Sequence, residues 1–545
     1  MEVCGHGADA VMNPSTEQAR ALVEGLLRTG IDTVVVAPGS RNGPLSIALA
    51  QAAHVGKVHL HVRVDERSAS FLALGMAKRL GQPTAVVCTS GTATAHFHAA
   101  AYEATEMGVP LLLLTADRPP LVRHKGANQS IDQREMFGPA VVKSIDCALA
   151  EQQPATHWRA VISDAVAAAR GNASTAPGAV HINLPFAEPL VPGDGDTSWA
   201  QQLPDVVPPR GSTDVARAAW SKVWPQGGET PRGVVITSDP SHAADVVALA
   251  EALQWPVLAE PGSGARCGNT AILRYLDLLE RPELAPDVVV TVGRFGLSRT
   301  VAAFVRNAPR HISVGRRILD PLLTIDEQIA RLPEVGKLKP TASAWLSAWK
   351  SADAEAQRHA LNRQQLLVAT ALETAQPGDL VWYGPSSVIR DAERAAPAFD
   401  DIVTSYMNRG ANGIDGVVSS AIGAALAHQR LKHDAHALVL LGDLTLLHDI
   451  NGFLLPPGAT APNITFVVID SNGGRIFERL EQGAAEYAPI FDTVYGTPHD
   501  RDLVAVLSAY GVNASRLKTA VELRATLDAV RDQGGIQAIV VDDQE

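Results

Sequence analysis

The chain has 545 residues, 46% hydrophobic and 19% charged, which excludes a mainly disordered protein and one built on a single ordinary core. Lys plus Arg total 46 against 58 Asp plus Glu, a formal net charge of −12, and this excludes the basic footprint of a general nucleic-acid binder. Cys4, Cys88, Cys147 and Cys267 are widely separated, with no Cys-x-x-Cys, so reduced structural thiols are expected rather than a disulfide frame or zinc site. The start, "MEVCGHGADAVMNPS", lacks a basic segment followed by an apolar run, and no stretch approaches about eighteen consecutive apolar residues. No signal peptide, no membrane span and a cytoplasmic location are the expectations.

In chain order, "STEQARALVEGLLRTG" reads as an amphipathic helix with Ser15 at its N-cap and its end at Gly30. "DTVVVAPGSRN", "TAVVCTSGTATA" and "VPLLLLTADRPP" follow, each an apolar run closed by Gly, Ser, Asp or Pro. Runs without alternation fit parallel strands covered on both faces, with functional loops at their carboxyl ends. Between the first two lies "HVRVDERSASFLALGMAK", where a strand-like stretch meets Asp65-Glu66-Arg67 and an apolar helix follows. Read alone, that trio is a solvated turn with carboxylates favoured by the helix dipole. "GAVHINLPFAEPLVP" closes this region before a Pro/Gly/Asp-rich linker near 190–212.

A second unit contains "GVVITSD", "DVVVTVG" and "HISVG", left through "LPEVGKLKPTASAW"; a third contains "GDLVWYGPSS", "HALVLLGDLT", "NITFVVIDSNGG" and "IQAIVVDD". The fold class expected is α/β, with three doubly wound parallel-sheet domains at 14–190, 205–350 and 358–545.

The most informative stretch is "LVLLGDLTLLHDINGFLLPPGATAPNITFVVIDSNGG". One buried strand delivers Gly442-Asp443, and a second delivers Asp470-Ser471-Asn472-Gly473-Gly474. Neighbouring strand ends presenting oxygen ligands, with glycines allowing close backbone approach, suit Mg²⁺ and phosphate. A lone Gly-Asp would be a helix cap; the paired arrangement favours metal–diphosphate binding.

This stretch resembles the signature of the thiamine-diphosphate-dependent enzymes, Gly-Asp-Gly followed after a helix and strand by Asn-Asn. It departs at Leu444, where the second glycine is usual, and at "DSN" in place of paired asparagines. The resemblance implies Mg²⁺, with Mn²⁺ as a substitute, on Asp443, Ser471 and the Gly473 carbonyl, with Asp470 and Asn472 as alternatives to Ser471. It makes Glu66 the carboxylate that hydrogen-bonds the aminopyrimidine N1′, so that the cofactor's own amino group can take the reactive carbon's proton; burial would tune such a carboxylate for proton sharing. Asp65 and Arg67 are then structural. In this family the two halves of the site come from different subunits, which implies a homodimer at least, with a homotetramer as the larger option.

Within that family, "PGSRNGPLSIAL", "TSGTA", "ADRPP", "GANQSIDQ", "NRGANGIDGVVSSAIGAAL", "GDLTLLHD" and "NGGRIFERLEQ" resemble the 2-succinyl-5-enolpyruvyl-6-hydroxy-3-cyclohexene-1-carboxylate synthases of menaquinone biosynthesis. The resemblance covers the first and third domains, and names the three domains pyrimidine-binding, middle and diphosphate-binding. It implies decarboxylation of 2-oxoglutarate and 1,4-addition of the succinyl unit to isochorismate. Two dicarboxylate substrates call for arginines, which bind carboxylates bidentately. The resemblance places Arg41, Arg118, Arg299, Arg390 and Arg409 in the substrate pocket, with Ser40, Asn128 and Gln129 hydrogen-bonding there, Gln129 in a catalytic role, and Ile476 and Phe477 lining it. It sets Ser386, Ser387, Asn408, Gly410, Gly442, Leu444, Thr445, Asn472 and Gly474 around the cofactor. Ile414 becomes the apolar residue that bends the cofactor so that its amino group reaches the reactive carbon.

His96 and His98 sit beside this site and are read as helix-packing residues, with a proton shuttle as the alternative. No Gly-x-Gly-x-x-Gly follows a strand, "TVGRFGLS" being a poor imitation, so FAD and NAD are not expected. The rival readings are an acetohydroxyacid synthase or simple 2-oxo-acid decarboxylase, which needs fewer carboxylate clamps, and a non-catalytic scaffold that kept the fold.

Overall fold

The strongest apolar runs of the sequence become the inner strands of three parallel sheets. The computed structural model describes residues 13–172, 174–193, 195–207, 230–317, 319–335, 340–341 and 344–543. The N-terminal segment, Cys4, residues 194 and 208–212 of the linker near 190–212, and part of "LPEVGKLKPTASAW" lie outside these residues.

The first sheet runs His59–Val62, Thr33–Val36, Thr84–Cys88, Leu111–Asp117, Ala179–Pro185, Lys143–Asp146, all parallel. Its inner strands are buried along their whole length, whereas the edge strand His59–Val62 is partly exposed. Two covered faces explain the unbroken runs, and one open edge explains the mixed "HLHV". The first helix is Pro14–Arg28, and its N-cap is Asn13 rather than Ser15. Proline at the first helical position moves the start back two residues. The Asn13 side chain accepts from the Thr16 amide at 2.9 Å, while Ser15 Oγ donates to the Ala187 carbonyl at 2.7 Å. That helix stops at Arg28, two residues before the left-handed Gly30.

The second sheet orders Glu327–Ile329, His311–Val314, Val288–Val292, Gly233–Thr237, Val257–Ala259. The third orders Thr404–Met407, Leu380–Tyr383, Ala437–Gly442, Ile464–Asp470, Ile536–Asp542, Asn513–Leu517. Both are parallel throughout.

Chain contacts gather these parts into two compact units. One is built on the first sheet and takes in Val418–Ala427 and Asn451–Thr460; the other is built on the second and third sheets. In the first unit the helix Glu66–Leu80 lies against the Val418–Ala427 part of the helix Val417–Leu431. Gly75 faces the Ser420 carbonyl and Gly423 faces the Leu72 carbonyl so closely that a Cβ on either glycine would collide with backbone. This crossing anchors the helix that begins at Glu66. In the second unit, the Pro261–Ser263 turn rests on the strand Thr404–Met407, with Gly262 against Met407. Among the described residues no helix is long and apolar enough to cross a membrane.

Candidate active site

In the first unit the polar loops all leave the carboxyl ends of adjacent strands, where a doubly wound sheet places its site. Asp65 takes extended backbone and caps the helix Glu66–Leu80, accepting from the Ser68 amide at 3.1 Å and from Asn451 Nδ2 at 2.8 Å. Burial works against its charge, but these hydrogen bonds outweigh it and hold the carboxyl below its ordinary range. Glu66 begins the helix and is half-buried. Cys88, Cys147 and Cys267 are free and buried, and burial pushes the Cys88 thiol up, with the Glu66 charge adding to the effect.

Arg41 and Arg118 open onto one cavity of about 280 Å³, lined also by Asn128 and Glu188. Arg41 is buried; its Nη1 donates to the Phe186 carbonyl at 2.9 Å and its Nη2 lies 3.5 Å from Glu188 Oε1. Asn128 is exposed at the cavity's rim, and Ser40 and Gln129, each next in the chain to a lining residue, are exposed as well. Gln129 adopts a left-handed conformation (φ +54°), and its carbonyl accepts from Ser90 Oγ at 2.9 Å. Beneath this rim Gln133 is fully buried: its Oε1 accepts from the Gly91 amide, and its Nε2 donates to the Ala116 carbonyl and Asn183 Oδ1. One amide side chain thus ties "TSGTA", "ADRPP" and the closing strand together. Asp117 continues the network, accepting from the Arg118 amide, Asn183 and Arg123. His98 packs on the Tyr102 ring at 5.2 Å.

In the second unit, strands Ala437–Gly442 and Ile464–Asp470 pair with Gly442 opposite Ile469, which sets Asp443 and Asp470 side by side. Asp443 is buried, 3% exposed, and accepts from the Leu444 amide at 2.7 Å and the Gly473 amide at 2.8 Å. Burial pushes its carboxyl up, and Asp470 reinforces the shift. Ser471 Oγ donates to the Gly473 carbonyl at 3.1 Å. Asn472 sits at φ +52° and accepts from the His499 and Asp500 amides. A Cβ at Gly473 would strike the Gly496 carbonyl, and one at Gly474 the Tyr495 carbonyl, so both glycines are required by close backbone approach.

His499 Nε2 lies 3.3 Å from Asp443 Oδ2 and 3.6 Å from Asp470 Oδ1, and the three side chains offer ligand atoms within 4.8 Å of one another. Asp470 also pairs with Arg516 Nη1 at 3.1 Å. The two buried carboxylates of this set are the oxygen donors that a hard divalent cation takes. Sequence reading missed His499, which has no motif around it and arrives from a separate loop; it likewise missed Glu188 and Gln133.

The remaining residues divide. Ser386 (φ +71°) and Ser387 open the helix Ser387–Ala395 beyond the strand Leu380–Tyr383, and Asn408, Arg409 and Gly410 are buried beyond Thr404–Met407. Thr445 is buried, whereas Gly442, Leu444, Ile414, Ile476 and Phe477 are half-buried, with the Phe477 ring 5.4 Å from Tyr495. Glu260, 1% exposed, accepts from the Gly296 and Leu297 amides. Burial pushes its carboxyl up while the Arg409 charge pulls it back. Arg299 and Arg390 reach solvent instead: Arg299 donates to Glu481 Oε1 at 2.9 Å with 87% of its side chain exposed, and exposed Arg390 donates to the Ser386 carbonyl.

Comparison with known proteins identifies the family and the fold. Residues 16–136 match the family described as thiamine pyrophosphate enzyme, N-terminal TPP binding domain. The 2-succinyl-5-enolpyruvyl-6-hydroxy-3-cyclohexene-1-carboxylate synthase of Saccharopolyspora erythraea is 40% identical over 552 residues, 97% of this chain and 96% of that protein. The synthase of Thermobifida fusca is 41% identical over 537 residues, 95% and 94% of the two. The crystal structure of benzoylformate decarboxylase from Polynucleobacter necessarius superposes with a TM-score of 0.68, over 96% of this chain and 98% of that one, at 16% identity, a likeness of fold alone. With two in five residues shared over nearly the full length of its relatives, the chain belongs to the 2-succinyl-5-enolpyruvyl-6-hydroxy-3-cyclohexene-1-carboxylate synthase family of thiamine-diphosphate-dependent enzymes.

Proposed function

We propose that the protein decarboxylates 2-oxoglutarate and adds the succinyl unit to isochorismate in a 1,4 sense, as a step of menaquinone biosynthesis in the cytoplasm. The observation that carries this reading is the cavity shared by Arg41, Arg118 and Asn128, joined to the family membership. Each guanidinium there has a buried Nε with no hydrogen-bond partner among the described residues. Unpaired buried donors call for an acceptor, and a substrate carboxylate is the planar acceptor that matches them.

Thiamine diphosphate, when bound, supplies the carbon nucleophile. Glu66 holds the pyrimidine ring by a hydrogen bond at N1′, Ile414 supports the ring, and Ser386, Ser387, Asn408, Gly410, Gly442, Leu444, Thr445, Asn472 and Gly474 surround the cofactor. Asp443, Ser471 Oγ and the Gly473 carbonyl hold Mg²⁺, or Mn²⁺ in its place. The short separation of the last two oxygens supports that pairing, and His499 keeps Asp443 oriented. Arg41, Arg118 and Arg409 clamp carboxylates, Arg299 and Arg390 serve as further carboxylate ligands after leaving their present contacts with Glu481 and the Ser386 carbonyl, and Ser40, Asn128 and Gln129 hydrogen-bond the substrate, Gln129 beside the reacting atoms. Ile476 and Phe477 line the apolar side. FAD has no part. The working form is a homodimer or homotetramer with its domains at 14–190, 205–350 and 358–545.

The test is a mass-spectrometric product assay with thiamine diphosphate, Mg²⁺, 2-oxoglutarate and isochorismate. The expected product has the mass of isochorismate plus a succinic semialdehyde unit. Consumption of 2-oxoglutarate with isochorismate untouched would reject the acceptor, and turnover of pyruvate alone would move the protein to the 2-oxo-acid decarboxylase reading.

A further inference from the structure

The cavity between Arg41 and Arg118 contains a carboxylate belonging to the protein itself. Arg41 is 5% exposed, and its planar fork is unevenly used. Nη1 donates to the Phe186 carbonyl at 2.9 Å, Nη2 faces Glu188 Oε1 at 3.5 Å, and the buried Nε has no hydrogen-bond partner among the described residues. Nε and Nη2 form one edge of the guanidinium, the edge on which a carboxylate binds with two parallel hydrogen bonds. Glu188 meets only one of those nitrogens, at the long limit of a hydrogen bond. Its side chain is 75% exposed, so it can turn into water while losing little, exposed ion pairs being weak. The residue is thus close enough to occupy the arginine and too loosely held to orient it.

We propose that Glu188 is a built-in competitor for the substrate carboxylate: it engages Nη2 of the Nε/Nη2 edge of Arg41 in the free protein and swings into solvent when a dicarboxylate takes the whole edge. Glu188 therefore sets the apparent affinity for the substrate that Arg41 binds, keeping a buried cation paired between turnovers and releasing it on demand. The proposal rests on the reading of Arg41 as a substrate ligand.

The experiment measures KM for 2-oxoglutarate and for isochorismate with the full chain, saturated with thiamine diphosphate and Mg²⁺, in Glu188→Gln, Glu188→Asp and Arg41→Lys. Glu188→Gln keeps the shape and removes the competing charge, and KM for one substrate is expected to fall roughly two- to fivefold, the scale of an exposed ion pair. Glu188→Asp keeps the charge but withdraws it by one methylene, and the same KM is expected to fall as well, because contact rather than overall charge is what competes. A rise in KM with Glu188→Gln would show that Glu188 positions Arg41, and would overturn the proposal. An unchanged KM in both Glu188 variants, with KM raised in Arg41→Lys, would overturn it too. If Arg41→Lys leaves both KM values unchanged, the substrate reading of Arg41 itself fails, a result distinct from failure of the Glu188 proposal.

Discussion

Asp65 and Glu66 are adjacent carboxylates with different surroundings, and only the folded chain separates them. Asp65 spends both oxygens on Ser68 and Asn451, a cap and a tether. Glu66 begins the helix half-buried. At Asp443 the division of labour is again local: two backbone amides orient the carboxylate, and His499 faces it from a loop 56 residues further on. If Asp443, Ser471 and Gly473 hold the metal, Asp443→Asn should abolish Mg²⁺ binding seen by calorimetry in the presence of thiamine diphosphate. Ser471→Ala, which removes one neutral ligand, should weaken it by about tenfold, the lower end of what a supporting group contributes. Equal loss in an Asp470→Asn variant, with Ser471→Ala unaffected, would transfer the second ligand to Asp470. The acidic residues were legible because each ends an apolar strand. His499 was not, because loops between elements carry no periodicity to count back from.

At the scale of elements, strand runs announced themselves through their unbroken apolar character, which two covered faces demand. The first helix was legible too, though its start was misplaced by the proline that opens it. The crossing of Glu66–Leu80 with Val417–Leu431 was not legible, because a glycine in a helix pattern does not say which backbone lies over it. Gly75 and Gly423 each face a carbonyl of the other helix, so neither tolerates a methyl group without the helices parting. Gly75→Ala should destabilise the protein by about 1–3 kcal/mol or more, the cost of overpacking, despite alanine's better helix propensity. Urea unfolding read by circular dichroism checks this. A variant as stable as the parent would mean that the helices adjust freely, and that Glu66 is not anchored by this contact.

At the scale of the whole molecule, the first unit carries Glu66 and the Arg41 cavity, and the second carries Asp443 and its neighbours. If each complete site draws one half from either subunit of a dimer, Glu66→Gln and Asp443→Asn should each lower activity by about a hundredfold or more, the first as loss of a proton-handling group and the second as loss of a metal ligand. Co-expressed, they should recover roughly a quarter of the parent activity, since half the dimers are mixed and each has one intact site. No recovery, with mixed dimers confirmed by native mass spectrometry, would place both halves in one chain.

The sequence by itself determined three parallel sheets, the strand ends that carry polar loops, and the family, since these follow from apolar runs and short contiguous motifs. Only the tertiary structure decided which residues meet across long separations: Asp65 with Asn451, Asp443 with His499, Arg41 with Glu188. The physical reason is that strand burial is written locally as an unbroken apolar run, whereas a pairing between loops depends on the order in which parallel strands lie side by side.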